Sequence, residues 1–115
     1  MPVYKAPRGT RDILPEEQPY WDYVKQKAEY VCRLYGCGCI ETPLFEATGL
    51  FSRGVGQGTD IVEKEMYTFS DRGGSSLTLR PEGTAPVCRA YVEHGMASLP
   101  QPVRLSRRGQ RHRQA

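Results

Sequence analysis

The sequence predicts an α+β domain built on an antiparallel sheet. Three observations lead to this fold class: a long amphipathic helical pattern near the start, two alternating runs joined by a turn-rich link, and a second helical pattern after them. Helices and hairpins without repeated strand–helix–strand units are typical of α+β rather than α/β domains. A length of 115 residues suits a single hydrophobic core.

The first helix is predicted between Pro15 and Gly36. A proline suits the first turn of a helix, the carboxylates of residues 16 and 17 suit the positive end of the helix dipole, and a glycine suits the residue just past the end. Apolar residues recur at spacings of three and four between them: Trp21, Val24, Ala28, Val31 and Tyr35. Such a stripe is typical of a core, and where it stays exposed it predicts self-association.

A strand is predicted over residues 39–45, where apolar and polar side chains alternate. Pro43 has no N–H to donate, so the strand should lie at an edge or an interface, or end at the proline. Residues 46–52 are compatible with a short helix. The glycine-rich run of residues 53–59 follows no apolar strand and lacks phosphate-loop spacing, so a mobile loop is the better interpretation.

An antiparallel hairpin is predicted from two alternating runs, residues 65–70 and 76–80, joined by the turn formers of residues 71–75. A second helix is predicted from about Pro86 to Gly95, with Thr84 as its N-cap. The segment between hairpin and helix is therefore a short junction at the end of a strand.

That junction carries the most informative polar residues. Glu82 can accept hydrogen bonds from an ammonium group, Thr84 can add a hydroxyl, and Gly83 allows a ligand to approach the backbone closely. Together these groups suit the α-amino group of an amino acid. The alternative is that Glu82 and Thr84 merely cap the helix, and the spacing by itself favours that alternative.

Composition argues against several other classes of protein. The four cysteines lack the spacing of a zinc site or a CxxC motif, so reduced thiols and no metal site are expected. No apolar run approaches the roughly 20 residues of a membrane span, and no secretory signal is evident, so a cytoplasmic protein is expected. No serine or cysteine has the setting of a hydrolytic nucleophile.

The net charge of +3 arises at one end of the chain. Five of the 16 basic residues are arginines from Arg104 onwards, where there is no acidic residue, so the preceding part carries 11 basic against 13 acidic side chains. The body of the chain is therefore not a basic nucleic-acid-binding patch, and the terminal cluster is compatible with a solvated tail.

Several segments, in order, resemble the histidyl-tRNA synthetase family. Residues 7–15 (PRGTRDILP) resemble its N-terminal arm, and residues 62–69 (VEKEMYTF) and 77–85 (LTLRPEGTA) resemble its hairpin and histidine-binding loop. The long helix and residues 43–45 (PLF) are similar to motif 1 of class II synthetases. The resemblance, over residues 3–105, implies a class II aminoacyl-tRNA synthetase-like antiparallel sheet with flanking helices, incomplete in this chain.

The resemblance also implies a reaction. ATP, with Mg²⁺, and L-histidine would form histidyl-adenylate, and the histidyl group would pass to tRNA(His). Glu82, Gly83 and Thr84 would bind L-histidine by positioning it, with no catalytic residue among them. The motif 1 region would form a homodimer.

The resemblance weakens after Leu105. Residues 1–105 are therefore expected to be the N-terminal part of a class II catalytic domain, and residues 106–115 a divergent basic tail. Arg113 falls on the family position of an arginine that binds the ATP phosphates, but Ala115 replaces the glutamate two positions after it. Four arginines make a strand implausible in this tail, and the chain is expected to be truncated and inactive alone.

Two alternatives remain open. A regulatory subunit of ATP phosphoribosyltransferase, from histidine biosynthesis, would share the fold and the arm, although the intact run of residues 80–84 favours a synthetase. The other alternative is a non-catalytic dimerisation or binding fragment.

Overall fold

The computed structural model of the chain describes residues 3–54 and 66–107. In this part the elements are, in order, α1 (Gln18–Leu34), β1 (Gly38–Ile40), β2 (Phe45–Ala47), α2 (Thr48–Gly54), β3 (Thr68–Ser70), β4 (Ser76–Leu79), α3 (Thr84–Glu93), a 3-10 turn (Met96–Ser98) and β5 (Leu105–Arg107). Helices flank an antiparallel sheet of order β2-β4-β3, which confirms the predicted α+β class.

Helix α1 ends as predicted and begins three residues later than predicted. Residues 15–17 form a turn before the helix. At the other end Gly36 has a φ of 72°, its N–H donates to the carbonyl of Arg33, and the N–H of Cys37 donates to the carbonyl of Cys32. This pair of bonds is a Schellman motif, which favours glycine because the backbone is left-handed there.

The core interpretation of the α1 stripe is wrong for this chain. No residue of α1 is buried, and Trp21 and Val24 are 39% and 60% exposed. At its C-terminus, the guanidinium of Arg104 donates to the Tyr35 carbonyl over 2.9 Å. The stripe stays exposed because the described residues of the other elements do not cover it.

The predicted hairpin is confirmed. Strands β3 and β4 pair antiparallel, with Thr68 opposite Thr78 and Ser70 opposite Ser76. The turn is closed by a hydrogen bond from the Asp71 N–H to the Ser75 carbonyl, and the Asp71 carboxylate accepts the Ser75 N–H in return. The first residue predicted for this hairpin, residue 65, and residues 55–59 of the glycine-rich run lie outside the described residues.

The strand predicted over residues 39–45 is wrong as one element. The chain forms β1, then an irregular link over residues 41–44 that contains Pro43, then β2. Strand β1 pairs parallel with β5, and β2 pairs antiparallel with β4. The two strands belong to different sheets, and the proline, which has no N–H, falls at the break between them. Glu46 consequently lies in β2 rather than in the following helix.

Strand β5 also corrects the expectation that the basic tail forms no strand. Ser106 and Arg107 both belong to β5, opposite Cys39 and Ile40. Backbone pairing does not depend on side-chain charge, so one arginine in a short strand is tolerated. Residues 108–115 lie outside the described part of the chain.

The core lies where α2, α3 and the three-stranded sheet meet. Its buried apolar side chains, in the described residues, are Phe51, Pro86 and Ala90. Thr78 is fully buried, and its hydroxyl lies 2.8 Å from that of Thr48 and 3.0 Å from that of Thr68. No helix in this part of the chain is long and apolar enough to cross a membrane.

Candidate functional site

The carboxylate of Glu82 caps helix α3. It accepts the N–H of Thr84 at 2.5 Å and the N–H of Ala85 at 3.0 Å. The N-cap residue itself is Gly83, so the prediction that Thr84 is the N-cap is wrong. Glycine has no side chain that can cap, and the preceding glutamate satisfies the free N–H groups instead. Glu82 therefore does cap the helix, as the capping alternative expects, and whether it only caps the helix stays open.

The Glu82 carboxylate can accept hydrogen bonds beyond those that cap the helix. An ionised carboxylate has about four acceptor positions, and Glu82 is exposed, so positions remain accessible beyond those used by the helix. The two N–H donors also hold the group in one orientation. The arrangement can therefore accept a further hydrogen bond from a cation without reorganising, and ammonium binding at Glu82 stays a prediction.

Gly83 lies against the end of the Arg107 side chain. Its φ of −109° is accessible to any residue, and a Cβ at this position would displace the guanidinium of Arg107, which can move because it ends a flexible, exposed side chain. The group that approaches the backbone closely here is therefore the Arg107 side chain, carried by β5. Sequence reasoning missed Arg107 because the pairing of β1 with β5 brings it to the loop from far along the chain.

Of the remaining predicted site residues, the structure describes Thr84 but not Arg113. Thr84 is the exposed first residue of α3, next to Gly83, so the structure brings Glu82, Gly83 and Thr84 together at one helix end. Arg113 lies outside the described residues.

The start of the loop is anchored by Arg80. This side chain is only 4% exposed, and its Nη1 lies 3.0 Å from the Thr42 carbonyl, 3.3 Å from the Thr42 hydroxyl and 3.2 Å from the Pro43 carbonyl. Its backbone N–H donates to the carbonyl of Leu44 over 2.9 Å. Both the backbone and the side chain of Arg80 therefore hold the junction between β4 and the loop.

A separate open cleft of about 730 Å³ lies between residues 40–43 and the C-terminal half of α3. Its wall includes the ion pair between Glu46 and Arg89, at 2.9 Å, and Arg89 also pairs with Glu93. None of residues 82–84 lines this cleft, so the cleft is not the candidate site.

Solved structures of synthetases share this fold. Apo S. aureus histidyl-tRNA synthetase matches with a TM-score of 0.73 and 45% identity, over 87% of this chain and 23% of that one. A Bacillus halodurans structure described as an ATP phosphoribosyltransferase regulatory subunit/histidyl-tRNA synthetase matches with a TM-score of 0.75 and 27% identity, over 93% of this chain and 27% of that one. The fold is that of a class II aminoacyl-tRNA synthetase catalytic region.

Sequence comparison narrows this class. The family model for histidyl-tRNA synthetase matches residues 9–115. Histidine–tRNA ligases of Dehalococcoides mccartyi and Desulforudis audaxviator are 65% and 62% identical over 103 residues, or 90% of this chain. The chain belongs to the histidyl-tRNA synthetase family. It spans about a quarter of the length of these relatives, 25% and 24% respectively.

Proposed function

We propose that the chain is the N-terminal part of a histidine–tRNA ligase catalytic domain, and that residues 82–84 bind the α-ammonium group of L-histidine. The observation that carries this proposal is the Glu82 carboxylate, which two backbone N–H groups orient at the exposed end of α3. A carboxylate held in this way meets a cation without further loss of side-chain entropy. Family membership supplies the identity of the amino acid.

The proposed reaction has two steps. An oxygen of the histidine carboxylate attacks the α-phosphorus of ATP, and pyrophosphate leaves, which gives histidyl-adenylate. A hydroxyl of the terminal ribose of tRNA(His) then attacks the histidyl carbonyl, and AMP leaves. The contribution of Glu82 and Thr84 is to hold the ammonium group, so that the adjacent carboxylate is placed for attack. Orientation of this kind lowers the barrier without a protein nucleophile.

ATP and Mg²⁺ are proposed on the basis of family membership and not on the basis of the described residues. Residues 3–54 and 66–107 contain no group of three or more metal-binding side chains suited to an ion, so Mg²⁺ is proposed only as the companion of ATP. Arg113 is proposed to contact the ATP phosphates. Residues 106–115 otherwise stay a divergent tail in this proposal.

The proposal includes a cytoplasmic homodimer formed through the motif 1 region. The exposed apolar stripe of α1 supports it, since large apolar faces in water favour association. A regulatory subunit of ATP phosphoribosyltransferase remains the alternative. Such a subunit would bind histidine without converting it to histidyl-adenylate. An assay of activation therefore separates the two.

The test uses a completed chain, in which residues 1–105 are followed by the remaining part of the Dehalococcoides mccartyi ligase. Histidine-dependent exchange of pyrophosphate into ATP is expected from the completed chain and absent from the 115-residue chain. The matched control is the same D. mccartyi part without residues 1–105. A folded completed chain that shows no exchange would contradict the proposal, and histidine-dependent exchange by the 115-residue chain would contradict its expected inactivity.

A further inference from the structure

We infer that Arg80 is a positioning residue for the amino-acid loop, which acts on Glu82 by fixing the direction in which the chain leaves β4. The inference rests on the proposed function of residues 82–84. It concerns a residue that contacts no substrate group in that proposal.

The end of β4 is held by backbone hydrogen bonds on both sides. The N–H of Leu79 donates to the Tyr67 carbonyl, and the N–H of Arg80 donates to the Leu44 carbonyl, each over 2.9 Å. Hydrogen bonds to segments on both sides thus hold the backbone at the last residues before the loop. Pro81 follows directly, and a proline restricts the backbone of the residue before it to extended conformations.

The side chain of Arg80 reaches past the end of the sheet. Its Nη1 lies within 3.0–3.3 Å of three oxygens of Thr42 and Pro43, in the irregular link before β2. The guanidinium is almost completely buried, and a buried charge is stable only when polar groups surround it. Arg80 therefore holds the loop and the link over residues 41–44 at a set distance from each other.

Arg80 lies close to Glu82 in the chain. Only Pro81 separates Arg80 from Glu82, whose carboxylate is fixed at its other side by the N–H groups of α3. The loop is consequently held at both ends, by the guanidinium at its start and by the helix cap at its finish. A displacement at Arg80 is transmitted to Glu82, because a single rigid residue lies between them.

The test is Arg80→Lys in the completed chain, with Arg89→Lys as the matched control. Lysine keeps the charge but lacks the planar fork, so it cannot reproduce the contacts with Thr42 and Pro43. We expect the KM for histidine to rise about tenfold, since misplacement of a binding group by a fraction of an ångström costs this much, while the KM for ATP stays within about twofold. Arg89 pairs with Glu46 away from the loop, so its variant should lower the melting temperature and leave the KM for histidine unchanged.

A purely structural role predicts a different pattern. It would reduce the fraction of folded enzyme, and hence kcat per total protein, without changing the KM for histidine. Three results would overturn the inference. The first is that pattern in Arg80→Lys, and the second is an equal rise in the KM for histidine with Arg89→Lys. The third is an Arg80→Lys protein that does not fold although the Arg89→Lys protein folds. A completed chain without exchange activity before any substitution would instead overturn the proposed function, and this inference with it.

The second variant, Thr42→Val, keeps the shape of the link and removes one of the three oxygens near Nη1. Its expected effect is a rise of about twofold in the KM for histidine, because one long hydrogen bond contributes little. An unchanged KM for histidine in a folded Thr42→Val protein would count against the inference.

Discussion

Helix α1 and the region around β4 bury their side chains very differently. The 17 residues of α1 carry a regular apolar stripe, yet none of them is buried. Around β4, by contrast, the buried set contains polar side chains as well as Phe51 and Ala90, namely Glu46, Thr78 and Arg80. An amphipathic pattern thus indicates that a face will be covered, but it does not indicate by what.

The two regions also differ in how strictly they require their contact partners to be placed. The polar groups around β4 need partners in particular places, because a buried polar atom without one is costly, and the hydroxyls of Thr78, Thr48 and Thr68 supply them for one another. The apolar face of α1 imposes no such geometry and can be covered by any complementary apolar surface. The radius of gyration of 17.3 Å, against about 13 Å for a compact domain of this size, agrees with a chain that leaves such faces open.

The largest expected effect is at the core. Phe51→Ala should lower the free energy of unfolding of the 115-residue chain by about 3–5 kcal/mol, or remove its cooperative transition, because the aromatic side chain is buried and a cavity would remain. Tyr23→Ala on α1, where the side chain is 63% exposed, should change it by less than about 0.5 kcal/mol. Urea unfolding followed by circular dichroism measures both, and equal losses would remove the distinction between the two regions.

A smaller loss is expected from the buried hydroxyl. Thr78→Val keeps the shape and removes two hydrogen bonds, so it should cost about 1–3 kcal/mol in the same unfolding experiment. The control is Thr10→Val, which removes a hydroxyl bond to the Pro7 carbonyl in the exposed N-terminal arm. A loss for Thr10→Val as large as that for Thr78→Val would show that burial does not determine the cost.

The third prediction concerns association rather than folding. The double variant Val24→Ser and Val31→Ser should weaken self-association at least about tenfold with little change in stability, because both side chains are exposed on the α1 stripe. Gln26→Ser, on the polar side of α1, is the control. Sedimentation equilibrium checks this, and a parent chain that stays a soluble monomer at every accessible concentration would contradict it.

The sequence predicted the elements whose signals are local. Gly36 ends α1, the turn formers after Ser70 close the hairpin, and Gly95 follows the second helix, because each of these features depends on neighbours in the chain. Periodicity could not predict that residues 39–45 divide between two sheets, since β1 pairs with residues more than sixty positions away. Nor could it show that the α1 stripe stays exposed in this chain.

The same limit applies to the candidate site. Glu82, Gly83 and Thr84 are consecutive, so a motif was enough to suggest them. The Thr42 and Pro43 oxygens that hold Arg80, and the Arg107 guanidinium above Gly83, come from distant segments that only the fold brings together. Glu82 rather than Thr84 caps α3, a choice that depends on the course of the loop and not on spacing.

Glu82 is proposed to bind the ammonium group of histidine while it caps α3. Glu82→Gln in the completed chain keeps an oxygen for the helix N–H groups and removes the charge, so the KM for histidine should rise roughly tenfold to a hundredfold, the equivalent of about 1.5–3 kcal/mol. The melting temperature should fall modestly, because the same charge also caps α3. Glu93→Gln, at the other end of the same helix, should leave the KM for histidine unchanged. An unchanged KM for histidine in Glu82→Gln, beside a lowered melting temperature, would mean that Glu82 only caps the helix and would contradict the account.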